Sequence, residues 1–174
     1  MPCHQLKFID ESGCNIAMNR RYGRAPYGRR VPDAVPKNFG RNVSIFGALS
    51  CTGLDAVMSV DGATDTAVFR AYVEQVLVPT LAPGDIVVMD NLSSHKVSGI
   101  REGMEADGVQ LLYLPPYSPD YSPIESYWSK LKASLRKAKA QTRDALDEAL
   151  KQAIEYITES DAKGWFPLCG YTLH

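Results

Sequence analysis

Apolar residues along this chain gather in short blocks, some alternating as strands do and others spaced as on one face of a helix. LKFID at 6–10 reads as a short buried strand ending at Asp10. NVSIFGALSCTG reads as a second strand closing in a turn at Thr52-Gly53, with LDAVMSVDG as its hairpin partner. Thr64 is placed to cap a helix reaching about Leu77, whose buried stripe is Val68, Phe69, Tyr72, Val73, Val76 and Leu77. Pro79, Pro83 and Gly84 stop that helix. IVVM at 86–89 is continuously apolar, as in a strand covered on both faces. A weaker helix is expected over 95–107, ended near Gly108, and then the strand VQLLYL, closed by Pro115-Pro116.

YSPDYSP at 117–123 is a rigid, turn-rich segment. Ser122 as cap and Pro123 at the first helical position start a helix with Ile124, Trp128, Leu131 and Leu135 as its buried stripe. A last helix over roughly 142–159 buries Leu146, Ala149, Leu150, Ala153, Ile154 and Ile157. Hairpin strands followed by strand–helix alternation predict an α/β fold, a mixed sheet of about five strands with helices on both faces. The interval 18–42 has no such period. It holds Gly23, Pro26, Gly28, Pro32, Pro36 and Gly40 and is expected to be loop or irregular hairpin.

A length of 174 residues favours a single domain over 1–174, and 45% apolar residues suit a globular core. No apolar run reaches the roughly 20 residues of a membrane span, and MPCHQLKFIDES has no signal-peptide core, so a cytosolic protein without membrane contact is expected. The cysteines Cys3, Cys14, Cys51 and Cys169 form no CxxC pair and read as free thiols. Cys3, His4 and Cys14 match no common zinc spacing.

Net charge is −1, but its distribution is uneven. Residues 18–42 carry Arg20, Arg21, Arg24, Arg29, Arg30, Lys37 and Arg41 against Asp33 alone. Residues 43–127 hold eleven acids against Arg70, Lys96 and Arg101. Residues 128–151 are basic again. An acidic centre between basic stretches suits a metal site bordered by phosphate-binding surfaces.

Three strings carry the candidate chemistry: FIDES, VVMDN and SPIESYW, with Asp10, Asp90 and Glu125 each at the edge of an apolar element. Hard divalent cations need several oxygen ligands converging from rigid elements, which points to metal-dependent cleavage or strand transfer. Strand ends are where α/β folds place their sites. Glu11 follows Asp10 and should face the opposite side of the strand. Glu125 also fits a capping box with Ser122. It shares a helix face with Ser129, Lys132 and Arg136, however, which could carry a carboxylate to a metal and two cations to a phosphate backbone. Asn91 and His95, in DNLSSH, are further candidates for orienting water, moving a proton or contacting phosphate.

FIDESG, RRYGRAPYGRR, SIFGALSCTG, LVPTLAPGDIVVMDNLSSHK, LLYLPPYSPDYSPIE and KLKASLRK, in this order, resemble the catalytic domain of DDE transposases, in the bacterial insertion-sequence branch of the mariner superfamily. The resemblance runs from about Phe8 to Tyr171. It implies an RNase H-like fold and an acidic triad of Asp10, Asp90 and Glu125, with 34 residues between the last two. It further implies two Mg²⁺ or Mn²⁺ ions, transposon-end and target DNA as partners, a homodimer in the active complex, and action in the bacterial cytosol and nucleoid. The chain departs from the family at Ser122, where Asn is usual, and at Tyr121, where an aliphatic residue is usual. The family's N-terminal helix-turn-helix is expected to be absent and supplied by a separate upstream partner. Arg20, Arg21, Arg24, Arg29, Arg30, Lys132 and Arg136 are the expected DNA contacts.

Two other functions fit the same residues: an RNase H-like nuclease that cuts without joining ends, and an inactive remnant that binds DNA. A phosphoaspartate role for VVMD is disfavoured, because no phosphate-cradling glycine loop follows Asp90.

Overall fold

The computed structural model describes residues 3–20, 22–34, 37–38, 40–90 and 99–172. Five strands form one sheet in the order β3-β2-β1-β4-β5. They are β1 (Leu6–Cys14), β2 (Val43–Ser50), β3 (Gly53–Asp61), β4 (Ile86–Met89) and β5 (Gln110–Tyr113). β2 runs antiparallel to both β1 and β3, whereas β4 is parallel to β1 and β5 to β4. This is the mixed sheet that the pattern predicts.

The first strand is longer than expected. It does not end at Asp10 but continues to Cys14, because β2 pairs with it from Phe8 to Cys14. Its other neighbour is short, since β1–β4 pairing stops at Ile9↔Met89. Asp10 is thus inside β1, yet it is the first residue of β1 beyond the end of β4.

Alternation in β1 divides the core between two faces. Leu6, Phe8 and Cys14 join one apolar cluster, and Ile9 joins the other. On the Ile9 face lie α1 (Thr66–Tyr72) and α2 (Ile100–Ala106). Phe69 and Tyr72 of α1 pack on Phe46, with the Tyr72 ring stacked 4.9 Å from it. Each such fully buried side chain is worth about 1.5–3 kcal/mol relative to exposure. The opposite face is covered by α3 (Pro123–Ala138), α4 (Arg143–Tyr156) and α5 (Glu159–Leu168).

Local chemistry corrects several boundaries. Asp65, not Thr64, caps α1, its carboxylate accepting from Val68 N–H at 2.9 Å. Thr64 is drawn away to donate to Glu11 Oε1 at 2.5 Å. The helical path then continues through a π turn at Val73–Leu77 and a 3₁₀ turn at Val78–Thr80. The described part of the weak helix begins at Ile100, after Gly99 at φ 88°. The expected helix over 142–159 is two helices. α4 ends at Tyr156, and Thr158 with Asp161 forms a capping box that starts α5. Phe166 of α5 is fully buried, 5.5 Å from the Phe8 ring.

Between Cys14 and Val43 the described residues hold no helix or strand, as their glycines and prolines predict. Asp33 ties this segment to the end of α3, its two oxygens 2.6 and 2.7 Å from Lys139 Nζ.

Candidate active site

Asp10, Asp90 and Glu125 line one cavity of about 370 Å³. Asp10 is supplied by β1, Asp90 follows β4 directly, and Glu125 sits in the first turn of α3. Three segments far apart in sequence therefore bring their carboxylates to the same end of the sheet. The site opens where α/β sheets leave a crevice, beyond the carboxyl ends of parallel strands. Its far wall is the Pro115–Pro119 segment that leaves β5.

Glu11 points elsewhere, as the strand period predicts, and is held by Thr64. The capping-box explanation of Glu125 does not hold, because Ser122 makes no side-chain capping bond and Glu125 is exposed at the cavity. Lys132 and Arg136 follow Glu125 along α3 as half-buried residues. Lys132 is close enough to Cys14 to act on its thiol electrostatically. Arg20, Arg24, Arg29 and Arg30 are exposed. Arg21, Asn91 and His95 lie outside the described residues. Cys3 and Cys14 are buried in the core rather than gathered as ligands.

Two residues of this site escape the sequence reading. Trp128 belongs to the buried stripe of α3, but its indole N–H also donates to Asp10 Oδ2 at 2.9 Å. A buried Trp generally finds such a partner, which is the available signal. Gly47 pairs across the sheet with Asp10, at an irregularity in the β2–β3 register between Phe46 and Ala48. A Cβ at Gly47 would lie 2.9 Å from Leu54 Cδ1 and 3.3 Å from Trp128 Cη2. Gly47 thus clears space for the indole that reaches Asp10. A glycine inside a strand commonly marks such a close approach.

Electrostatics at Asp10 are unfavourable for a lone carboxylate. Burial pushes its pKa up from 3.8 to about 6, and the nearby charges of Glu125 and Asp90 push the same way. The Glu11 backbone N–H and the Trp128 indole oppose this without overcoming it. Desolvated, mutually repelling carboxylates are what a bound cation neutralises. The donors are all carboxylate oxygens, the ligand type of Mg²⁺ and Mn²⁺. Among the described residues, no group of three or more His, Cys, Asp or Glu side chains is placed to hold a metal ion.

The family model for the DDE superfamily endonuclease matches residues 5–147, so the chain belongs to that family. Among curated relatives it is similar to the Tcb2 transposase of Caenorhabditis briggsae, 26% identical over 163 residues, covering 88% of this chain and 60% of the relative. It is likewise similar to the Tc1 transposase of Caenorhabditis elegans, 26% identical over 161 residues, covering 87% and 59%. The chain thus spans about 60% of the length of these relatives. Its fold is similar to that of the mariner Mos1 paired-end complex with Mg, with TM-score 0.72 and 16% identity, covering 96% of this chain and 52% of that one. The catalytic domain of Mos1 mariner transposase gives TM-score 0.66 at 13% identity, covering 96% and 78%. The sheet and its flanking helices are therefore the RNase H-like fold that the resemblance implies.

Proposed function

We propose that this chain is the catalytic unit of a transposase that cleaves DNA strands and joins the ends to a target, with Asp10, Asp90 and Glu125 as its acidic triad. The observation that carries this reading is the convergence of the three carboxylates on one cavity. Family membership supports it, since the domain is a DDE superfamily endonuclease similar to Tc1 and Mos1 transposases. The Mos1 structures include paired-end complexes with Mg and with Mn, which favours the same cations here. Within the superfamily we read the chain as a member of the bacterial insertion-sequence branch, acting in the bacterial cytosol and nucleoid, on the resemblance of its motif strings to that branch. No helix among the described residues is long and apolar enough to cross a membrane.

Asp10, Asp90 and Glu125 would hold two Mg²⁺ or Mn²⁺ ions. When bound, such ions activate a water or a DNA 3′-hydroxyl for in-line attack and stabilise the leaving oxygen. The protein's part is positional. Asp10 is held by its place inside β1 and by Trp128. Asp90 extends from the end of β4, and the positive N-terminus of α3 favours an ionised Glu125. The attacking hydroxyl's proton passes to solvent, and no covalent protein–DNA bond forms.

Arg20, Arg21, Arg24, Arg29 and Arg30, with Lys132 and Arg136, contact the DNA backbone in this reading. Such contacts attract without selecting sequence. Recognition of transposon ends is assigned in this reading to a helix-turn-helix partner. Pairing two ends calls for a homodimer.

The test is Mn²⁺-dependent cleavage and strand transfer on precut ends, by the wild type and by Asp90→Asn, with a helix-turn-helix partner present. Activity confined to the wild type supports the proposal. Equal activity in both overturns the triad, and cleavage without joining identifies a nuclease.

A further inference from the structure

Tyr117 combines two features that folding alone does not favour. Its backbone lies in the left-handed region at φ 57°, a conformation disfavoured for an aromatic residue. Its side chain is 102% exposed, so the ring gains nothing from burial in return. Pro115, Pro116 and Pro119 surround it in sequence and limit the paths the backbone can take. The same segment forms one wall of the cavity that holds Asp10, Asp90 and Glu125. It is braced from behind, since Tyr171 Oη donates to the Tyr121 carbonyl at 2.8 Å and the Tyr171 ring lies 5.0 Å from Phe8. Strain that persists at a cavity wall, on a stiff and braced segment, is a sign of function.

The chemistry of the wall narrows what Tyr117 can bind. Leu114 and the prolines offer no positive charge, and the floor of the cavity is acidic. A phosphate would find no cation on this wall, only the Tyr117 hydroxyl and that of Ser118, which already donates to the Pro116 carbonyl at 3.4 Å. An uncharged π-face would find a ring with no competing protein contact. Aromatic side chains stack on any base with little sequence preference.

We propose that Tyr117 is a stacking platform for the terminal base of the cut DNA strand, seating its 3′-nucleotide against the three carboxylates. This rests on the DNA-cleaving reading above and adds the residue that orients the reacting end. The ring reads no sequence. It fixes the sugar and its 3′-hydroxyl by holding the attached base in one plane.

The experiment uses the full 174-residue chain and a precut DNA duplex carrying 2-aminopurine as its 3′-terminal nucleotide, in Ca²⁺. Binding is followed by anisotropy and stacking by quenching of the 2-aminopurine. Wild type should quench the probe. Tyr117→Ala should lose the quench and bind this end about tenfold more weakly, while keeping the wild-type Tm because the ring supports no packing. Tyr117→Phe, which keeps the ring and loses the hydroxyl, should restore both signals. A Tyr117→Ala protein with unchanged quench and affinity overturns the stacking role while leaving DNA binding intact. A wild type that binds no DNA even with the helix-turn-helix partner present overturns the underlying function as well.

Discussion

Trp128 donates its indole N–H to Asp10 across 118 residues of sequence, at 2.9 Å. The bond joins α3 to β1 and orients one of the three carboxylates that line the cavity. Partners of this kind typically set metal affinity by ten- to a hundredfold. Trp128→Phe keeps an aromatic ring in the core but removes the donor. Its Mn²⁺ affinity, measured by calorimetry, should fall by about tenfold or more. Unchanged affinity with an intact fold would show that the indole serves packing alone.

Gly47 makes that bond possible by leaving room for the ring. Gly47→Ala places a methyl against Leu54 and Trp128. Overpacking of this sort costs about 1–3 kcal/mol. Urea unfolding should show that loss, and metal affinity should drop with it. Gly13, in β1, has nothing within 4 Å of an added Cβ. Gly13→Ala is therefore the control, expected to leave both measurements near wild type.

The raised pKa of Asp10 makes the metal-free protein sensitive to pH. The folded state holds this proton more tightly than the unfolded chain, with a pKa of about 6 against 3.8. The stabilising contribution is fully present below about pH 4 and is lost as pH rises through about 6. Two pKa units correspond to roughly 2–3 kcal/mol. Asp10→Asn removes the charge, so it should melt above wild type at about pH 7.5 and close to it near pH 4. Mn²⁺ should raise the wild-type Tm at the higher pH far more than that of Asp10→Asn. A difference in Tm that is flat across this pH range would contradict the assignment.

The basic interval is testable by salt. Arg29 and Arg30 are exposed, on the segment tethered through Asp33 to Lys139. Replacing both by Ala should weaken binding to every DNA sequence alike. The slope of log K against log salt should fall by about one unit per lost phosphate contact. An unaltered slope assigns these arginines to solvent.

Most of the sheet and the three carboxylates that line one cavity were legible because each depends on local signals. IVVM is too short for a helix and is bounded by Gly84 and Asp90, while Pro123 and the Leu131–Leu135 spacing announce α3. What escaped depends on neighbours distant in sequence. The length of β1 past Asp10 is set by β2, not by its own residues. Thr64 is a plausible cap until Glu11, from another element, takes its hydroxyl. α5 was readable in principle, since Thr158 and Asp161 carry the capping-box spacing, but Pro167 masks the helical period. Gly47 and Trp128 each read as one kind of residue, a strand glycine and a core aromatic. Only their contact reveals a second role.

The distance in sequence between Asp10 and its partner on α3 has a consequence for synthesis. Translation is vectorial, and domains generally fold as units. While the ribosome is still making the Pro115–Pro119 segment, Asp10 and Asp90 exist, but neither Glu125 nor the indole that orients Asp10 has been made. In the proposed reading, a nascent or prematurely terminated chain of that length therefore lacks one of the three carboxylates of the site, however well its sheet has formed. Under the proposed function, completion of α3 would act as a built-in safety catch, since the three carboxylates come together only after most of the domain has been made.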